Sequence, residues 1–227
     1  MDLKKRLTFV QNKIRLAQKR SIFNNSVEII GVTKNHSFET IVDAQKVGIN
    51  SIGENRVQEA EHKFQSFKKT PQLIKRFIGH LQSNKVKKCV KLFDTIDSVH
   101  SFKLLKKISK ESIKLNKKTP VLLEVNTSKE PQKHGFETTN LEEILMCFGV
   151  CNVHVEGLMT IAPHTKDISL IRESFVCLRE LRDQISKTLK TNTLKKLSMG
   201  MSGDYEIAIE EGSTQVRLGT ILFGKRK

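Results

Sequence analysis

The amino-acid sequence predicts an α/β protein folded as a single (β/α)8 barrel of the TIM type over residues 1–227. Three observations carry that expectation. Short apolar, β-branched runs alternate with segments of helical period along the whole chain; such alternation implies a parallel sheet with right-handed crossovers. The runs number eight, whereas the rival doubly wound open sheet more often stops at about five or six. No linker, internal repeat or low-complexity tract divides the 227 residues, a length within the reach of one barrel.

The elements follow in order. VEIIGVTK (27–34) reads as the first strand, and Ser37 to Val47 as a helix with Ser37 at its N-cap and Gly48 past its end. INSIGEN, ending at Asn55, is the second strand, followed by a polar helix from Arg56 to Phe67. LIKRFIGH, ending at His80, is the third, with a short basic helix from Ser83 to Val90. LFDTIDSV, ending at Val99, is the fourth; Phe102, Leu105, Ile108 and Leu115 mark the helix after it. PVLLEVN (120–126) is the fifth, with Pro120 at a first position that tolerates a missing donor. Leu141 to Phe148 is helical, and VHVEGLMT (153–160) is the sixth strand. Ile168, Ile171, Phe175, Leu178, Leu181 and Ile185 keep a 3.6-residue period, the clearest helix of the chain. KKLSMG, ending at Gly200, is the seventh strand, Asp204 to Glu211 a short helix, and QVRLG, ending at Gly219, the eighth strand. Little chain follows, so an extra leading helix over 3–19 is expected to cover the gap left there.

Composition narrows the function. Hydrophobic residues make up 37% and charged residues 28%, enough for a buried core and against wholesale disorder. No apolar run approaches the roughly 18 residues of a membrane span. The basic, amphipathic start reads as a folded surface helix rather than a signal or transit peptide. The net charge of +16 suits phosphates or nucleic acid. Thirty of the forty cations are Lys, however, and they are scattered. A solvated surface is therefore favoured over a specific nucleic-acid face. Cys89, Cys147, Cys151 and Cys177 form no C-x-x-C pair, although Cys147 and Cys151 could share a helix face. The expectation is free thiols in a reducing compartment, the cytoplasm. No H-x-x-x-H pair, G-x-S-x-G elbow or P-loop occurs.

Barrel enzymes and binding proteins place their functional groups at the C-terminal strand ends. That rule nominates Lys34, Asn55, His80, Ser98, Asn126, Met159 with Thr160, Ser198 with Met199, and Arg217 with Gly219 and Thr220. Lys34 directly follows an apolar strand. Partial desolvation there favours the free amine, a nucleophile for an aldehyde, though in so Lys-rich a chain it could simply begin a loop. Arg217 interrupts an apolar strand, so its guanidinium must meet a partner or a cavity. Gly219 and Thr220 would open a helical turn toward an anion, and the loops after the last two strands commonly hold phosphate. Ser198 could add a hydroxyl, whereas Ser202 reads as a helix cap. Glu54 and Asp97 could be acid–base partners, or Glu54 a mere supporting carboxylate.

At these residues the chain resembles the pyridoxal-phosphate homeostasis protein family. The matching segments are GVTK (31–34), IGENRVQE (52–59), FIGHLQSNKVK (77–87), IDSVHS (96–101), LLEVNTSKEPQKHGF (122–136), EGLMTIAP (156–163) and LSMGMSGDYEIAIEEGSTQVRLGT (197–220), with ILFG (221–224) after them. Arg76 and Tyr205 depart from the family pattern, at positions that concern local packing. The resemblance implies a barrel of the alanine racemase type without a second β domain, with pyridoxal 5'-phosphate (PLP) held as an aldimine on Lys34. By the same pattern Ser198, Gly219 and Thr220 bind the phosphate, Arg217 faces the pyridine nitrogen, Asn55 and Met199 lie beside the ring, and His80 is near the mouth. An arginine at that nitrogen weakens carbanion stabilisation. The implied role is therefore intracellular balance of PLP and amino acids, by storing PLP or handing it to PLP-dependent apo-enzymes, rather than robust catalysis. The alternative is a weak amino-acid racemase, and a sugar-phosphate barrel enzyme is a more distant one. A monomer with no membrane association and no specific nucleic acid is expected.

Overall fold

The computed structural model describes residues 2–65, 73–128 and 130–224. Helix α1 (Leu3–Arg20) leads into β1 (Glu28–Val32), α2 (Phe38–Lys46), β2 (Ser51–Glu54), α3 (Val57–Gln65), β3 (Ile74–Phe77), α4 (Val86–Leu92) and β4 (Thr95–Val99). There follow α5 (Phe102–Lys114), β5 (Thr119–Asn126), β6 (Phe136–Glu137), α6 (Leu141–Met146) and β7 (Val153–Met159). The last elements are α7 (Ile168–Thr188), β8 (Lys196–Met201), α8 (Tyr205–Glu210), β9 (Gln215–Leu218) and α9 (Thr220–Phe223). Eight parallel strands form a closed ring, β1-β2-β3-β4-β5-β7-β8-β9, and β9 returns to β1 with Glu28 opposite Gln215 and Gly31 opposite Leu218. The barrel is therefore the one that the eight apolar runs predict, and closure leaves its sheet without an edge.

The helices form where the pattern requires. On α7, Ile171, Phe175, Leu178, Leu181 and Ile185 turn inward, and Asp167 caps the first turn by accepting from Ser169 N and Leu170 N. Ser101 caps α5 through Leu104 N. Gly48 ends the α2 turn at φ +94, where a β-carbon would be strained. Helix α1 buries Leu7, Val10, Ile14 and Ala17 against Val216, Leu218 and Leu222, so it covers β9 together with α9 as anticipated. Each such fully buried aliphatic contributes about 1.5–3 kcal/mol of transfer free energy.

Some details differ from expectation. Pro120 is the second residue of β5, not its first. Strand β6 and helix α9 were not foreseen; two and four residues are too short to show a period. The helix expected to reach Phe67 is described to Gln65, and residues 66 and 67 lie outside the described residues. Cys147 is buried and Cys151 exposed, and none of the four cysteines is in a disulfide.

The barrel floor is polar. Arg76 is 2% exposed there. Its Nε donates to Ser51 Oγ at 2.7 Å, its Nη2 to both Glu28 carboxylate oxygens at 3.1 Å, and its Nη1 to Asp97 Oδ2 at 3.3 Å. One guanidinium thus joins β1, β2, β3 and β4 across the interior.

Candidate functional site

At the opposite end, where the strands finish, a cavity of about 270 Å³ opens. Lys34, Asn55, Arg217, Gly219 and Thr220 line it, together with His36, Ser202 and Gly203. No carboxylate belongs to the lining among the described residues. The wall is therefore basic, with an apolar rim that includes Ile78, Ile161 and Met201.

Strand parity places Lys34. Val32 and Lys34 face the cavity, so Thr33 between them faces α3. Its Oγ1 donates to Glu54 Oε1 at 2.6 Å. Lys63 of α3 completes the clamp, donating to Thr33 O at 2.8 Å, Glu54 Oε1 at 2.8 Å and Glu59 Oε1 at 2.7 Å. Glu59 Oε1 also receives Asn35 N at 2.5 Å. The residues on both sides of Lys34 are thereby tied to one helix. Burial pushes the Glu54 carboxyl up, against the hydrogen bonds from Lys63 and Thr33 that favour its charge. Glu54 and Asp97 are not partners as suggested: Glu54 belongs to this clamp, while Asp97 sits in the floor with Arg76 and Thr95.

Arg217 is the most constrained cation of the site. Its Nη1 donates to Ser198 O at 2.7 Å and Ser198 Oγ at 2.9 Å, and its Nη2 to Thr160 O at 2.7 Å. Burial draws its pKa downward; Asp204, Asp97 and Glu124 act in the opposite sense. The side chain is held by neighbouring strands and presents a fixed cation to the cavity.

Two nominated residues lie elsewhere than expected. Ser198 is fully buried behind Arg217 and does not line the cavity. Met199 is fully buried in the apolar layer between sheet and helices, with Ala208 and Leu178, and so lies away from any ligand in the cavity. Gly200 gives the reason. At φ +95 it breaks the alternation of β8, and the β8–β9 register shifts between Ser198 and Met201. The inward positions pass to Met201, Ser202 and Gly203. Ser202 is accordingly not the cap of α8, a position that Asp204 occupies; its Oγ accepts from Ile221 N at 3.4 Å.

A second cavity of about 300 Å³ adjoins the first and shares Lys34, Asn55, Ile78 and Ile161 with it. His80 stands here, stacked on His134 at 3.8 Å and on His100 at 4.6 Å between ring centroids. Burial and the neighbouring imidazoles push His100 down to about 4. Glu124 of β5 also lines this cavity, and burial raises its carboxyl to about 7 while Arg217 pulls the other way. The same signal that marked Arg217, a lone charge in an apolar run, could have marked Glu124 in PVLLEVN.

Residues 7–227 match the family model described as alanine racemase, N-terminal domain. The chain belongs to the alanine racemase N-terminal domain family. Within this family it is similar to a pyridoxal phosphate homeostasis protein of Aquifex aeolicus, 40% identical over 229 aligned positions that cover 100% of both chains. It therefore stands among the pyridoxal phosphate homeostasis proteins of the racemase-domain family. Among solved structures, PipY of Synechococcus elongatus is 32% identical, with 98% of this chain and 100% of that chain covered. Its TM-score is 0.89 without PLP and 0.87 with PLP bound. An alanine racemase of Clostridium difficile, 17% identical, shares the fold of the racemase-domain family at a TM-score of 0.78. The match covers 97% of this chain and 57% of the racemase.

Proposed function

We propose that the barrel mouth holds PLP covalently through Lys34, and that the protein keeps this cofactor in balance rather than turning over substrates robustly. The observation that carries the reading is Lys34 in a basic, carboxylate-free cavity beside a locked Arg217. The similar proteins are named for PLP homeostasis, and PipY was solved with PLP bound. The residues present fit such a group. Gly203 and Gly219 line the cavity without side chains, and a β-carbon at Gly203 would stand in open space. Asn55 Oδ1 is buried with no hydrogen-bond partner and lines both cavities.

When bound, the cofactor supplies an aldehyde for a lysine amine and a ring able to draw electrons from an attached amino acid. Lys34 offers the amine. Ser202, Gly203, Gly219 and Thr220, which line the cavity where α9 begins, would hold the phosphate. Arg217, a cation with no lone pair to accept a proton, would disfavour a protonated ring beside it, the form that strong carbanion stabilisation needs. Ser198 positions Arg217. Tyr205, the chain's one tyrosine, packs in the core against α1 with its hydroxyl pushed up to about 12, and it does not line the cavity.

One observation favours the second reading, a weak racemase: Glu124 shares a cavity with Lys34 and titrates near neutrality. Exchange of the α-hydrogen of an amino acid with solvent deuterium, lost in Glu124→Gln, would support it. Among the described residues no helix is long and apolar enough to cross a membrane. We take the protein to act in the cytoplasm as a monomer that supplies PLP-dependent apo-enzymes. The test of the main reading is the absorption spectrum of PLP-loaded protein. Wild type is expected to show a long-wavelength band from the lysine-bound cofactor, and Lys34→Ala is expected to lose it; a mutant with the unchanged band overturns the assignment.

A further inference from the structure

Two neighbouring helices of the outer ring, α4 and α5, carry eight lysines between them. Helices α4 and α5 pack against each other in the outer ring. Val86, Cys89 and Val90 of α4 and Leu104, Leu105 and Ile108 of α5 are buried, so the opposite faces meet solvent. Those faces carry exposed Lys87 and Lys91 on α4 and Lys103, Lys106, Lys107 and Lys110 on α5. Lys117 joins the two helices, donating to Val90 O at 2.9 Å and Phe93 O at 2.7 Å.

Acidic side chains answer some of the surface cations and not others; Lys4, Lys5 and Lys19 of α1 make no ion pair with any described residue. On the side formed by α1, α7 and α8, Lys13, Arg20, Arg172 and Arg179 are answered by Glu206, Glu210 and Glu211. On α4 and α5, Lys88 pairs with Glu61 and Lys114 with Glu111. The six lysines named above make no ion pair with any described residue. These six lysines thus stand on two adjacent helices with no carboxylate paired to them among the described residues.

We propose that the α4–α5 face is a docking surface for the sugar-phosphate backbone of nucleic acid, without readout of base sequence. Lys103, Lys107 and Lys110 recur at i, i+4 and i+7. They span about 10 Å of helix, across which a duplex presents several phosphates. The face holds no arginine fork for a base edge. Its one aromatic ring, Phe102, lies under the Lys106 ammonium at 4.8 Å and leaves no platform for stacking a base. An acidic protein is the poorer occupant, because protein interfaces are depleted in Lys and anchored by Tyr, Trp and Arg. An anionic lipid surface would call for apolar residues among the lysines, and the exposed Ile113 lies at the far end of α5.

The test is fluorescence anisotropy with a labelled duplex of about 30 base pairs across a salt series, using the PLP-loaded full chain. Six neutralised phosphates predict a log–log slope of about −5, equal for a shuffled duplex. The variant K103Q/K107Q/K110Q is compared with K4Q/K5Q/K19Q on α1, which removes the same charge from another face. All six positions are exposed, and circular dichroism with the cofactor band confirms folding of both variants. The first variant is expected to lose at least tenfold in affinity and about three in slope, while the second stays within threefold. Equal loss in both variants, absence of duplex binding at about 50 mM salt, or tighter binding of anionic vesicles or polyglutamate than of the duplex overturns the proposal.

Discussion

Glu124 and Arg217 show how single charges define the mouth of this barrel. Arg217 is satisfied by two strands and stays charged; Glu124, buried nearby, is pushed up to about 7. The linkage has a definite sign. Between its ordinary value of 4.5 and about 7 the folded protein holds a proton on Glu124 that the unfolded chain has lost, so stability falls as pH rises through that window. Denaturation of the cofactor-free protein should show this slope, and Glu124→Gln should flatten it and gain up to about 3 kcal/mol above pH 7, from about 1.4 kcal/mol per unit. A mutant with the wild-type slope would assign the effect elsewhere. At this scale the sequence was only partly legible. Lys34, Asn55, Arg217, Gly219 and Thr220 could be read because the ends of apolar strands are visible in sequence. Ser198 and Met199, which the strand-end rule also nominates, do not line the cavity, because the positive φ of Gly200 breaks the alternation of β8 before the lining residues Met201, Ser202 and Gly203, and a period-two pattern carries no sign of it.

Helix α3 acts on the site without touching it. Lys63 spans Thr33, Glu54 and Glu59 and so fixes the end of β1 that carries Lys34. Lys63→Met leaves Glu54 buried and unpaired, at an expected cost of about 3–5 kcal/mol. The double variant Lys63→Met with Glu54→Gln should recover a large part of that loss in chemical denaturation, because both buried charges are then gone. A double variant no more stable than the single one would show that the clamp is not a charge pair. The helices themselves were legible where buried residues repeat every three or four positions, as on α5 and α7. Clamps such as Lys63 with Thr33 were not, since their partners stand thirty residues apart and nothing local marks the pairing.

The whole molecule is a ring pinned at both ends, by Arg76 in the floor and Arg217 at the mouth. Arg76 was noted in the sequence as a departure of local packing. The barrel makes it a tie between four strands, 2% exposed and facing Glu28 and Asp97. Arg76→Met should destabilise the entire ring by about 3–5 kcal/mol, seen as a lower thermal midpoint with a single transition; loss confined to one region would contradict a ring that unfolds as a unit. The ring in turn brings together residues from both ends of the chain, Lys34 after β1 and Arg217 in β9, in one cavity. The account depends on what Lys34 does there. The most direct measurement is borohydride reduction of PLP-soaked protein followed by peptide mapping by mass spectrometry. The expected result is one phosphopyridoxyl group, on the peptide that contains Lys34; reduction spread over surface lysines, with Lys34 unmodified, would contradict the assignment.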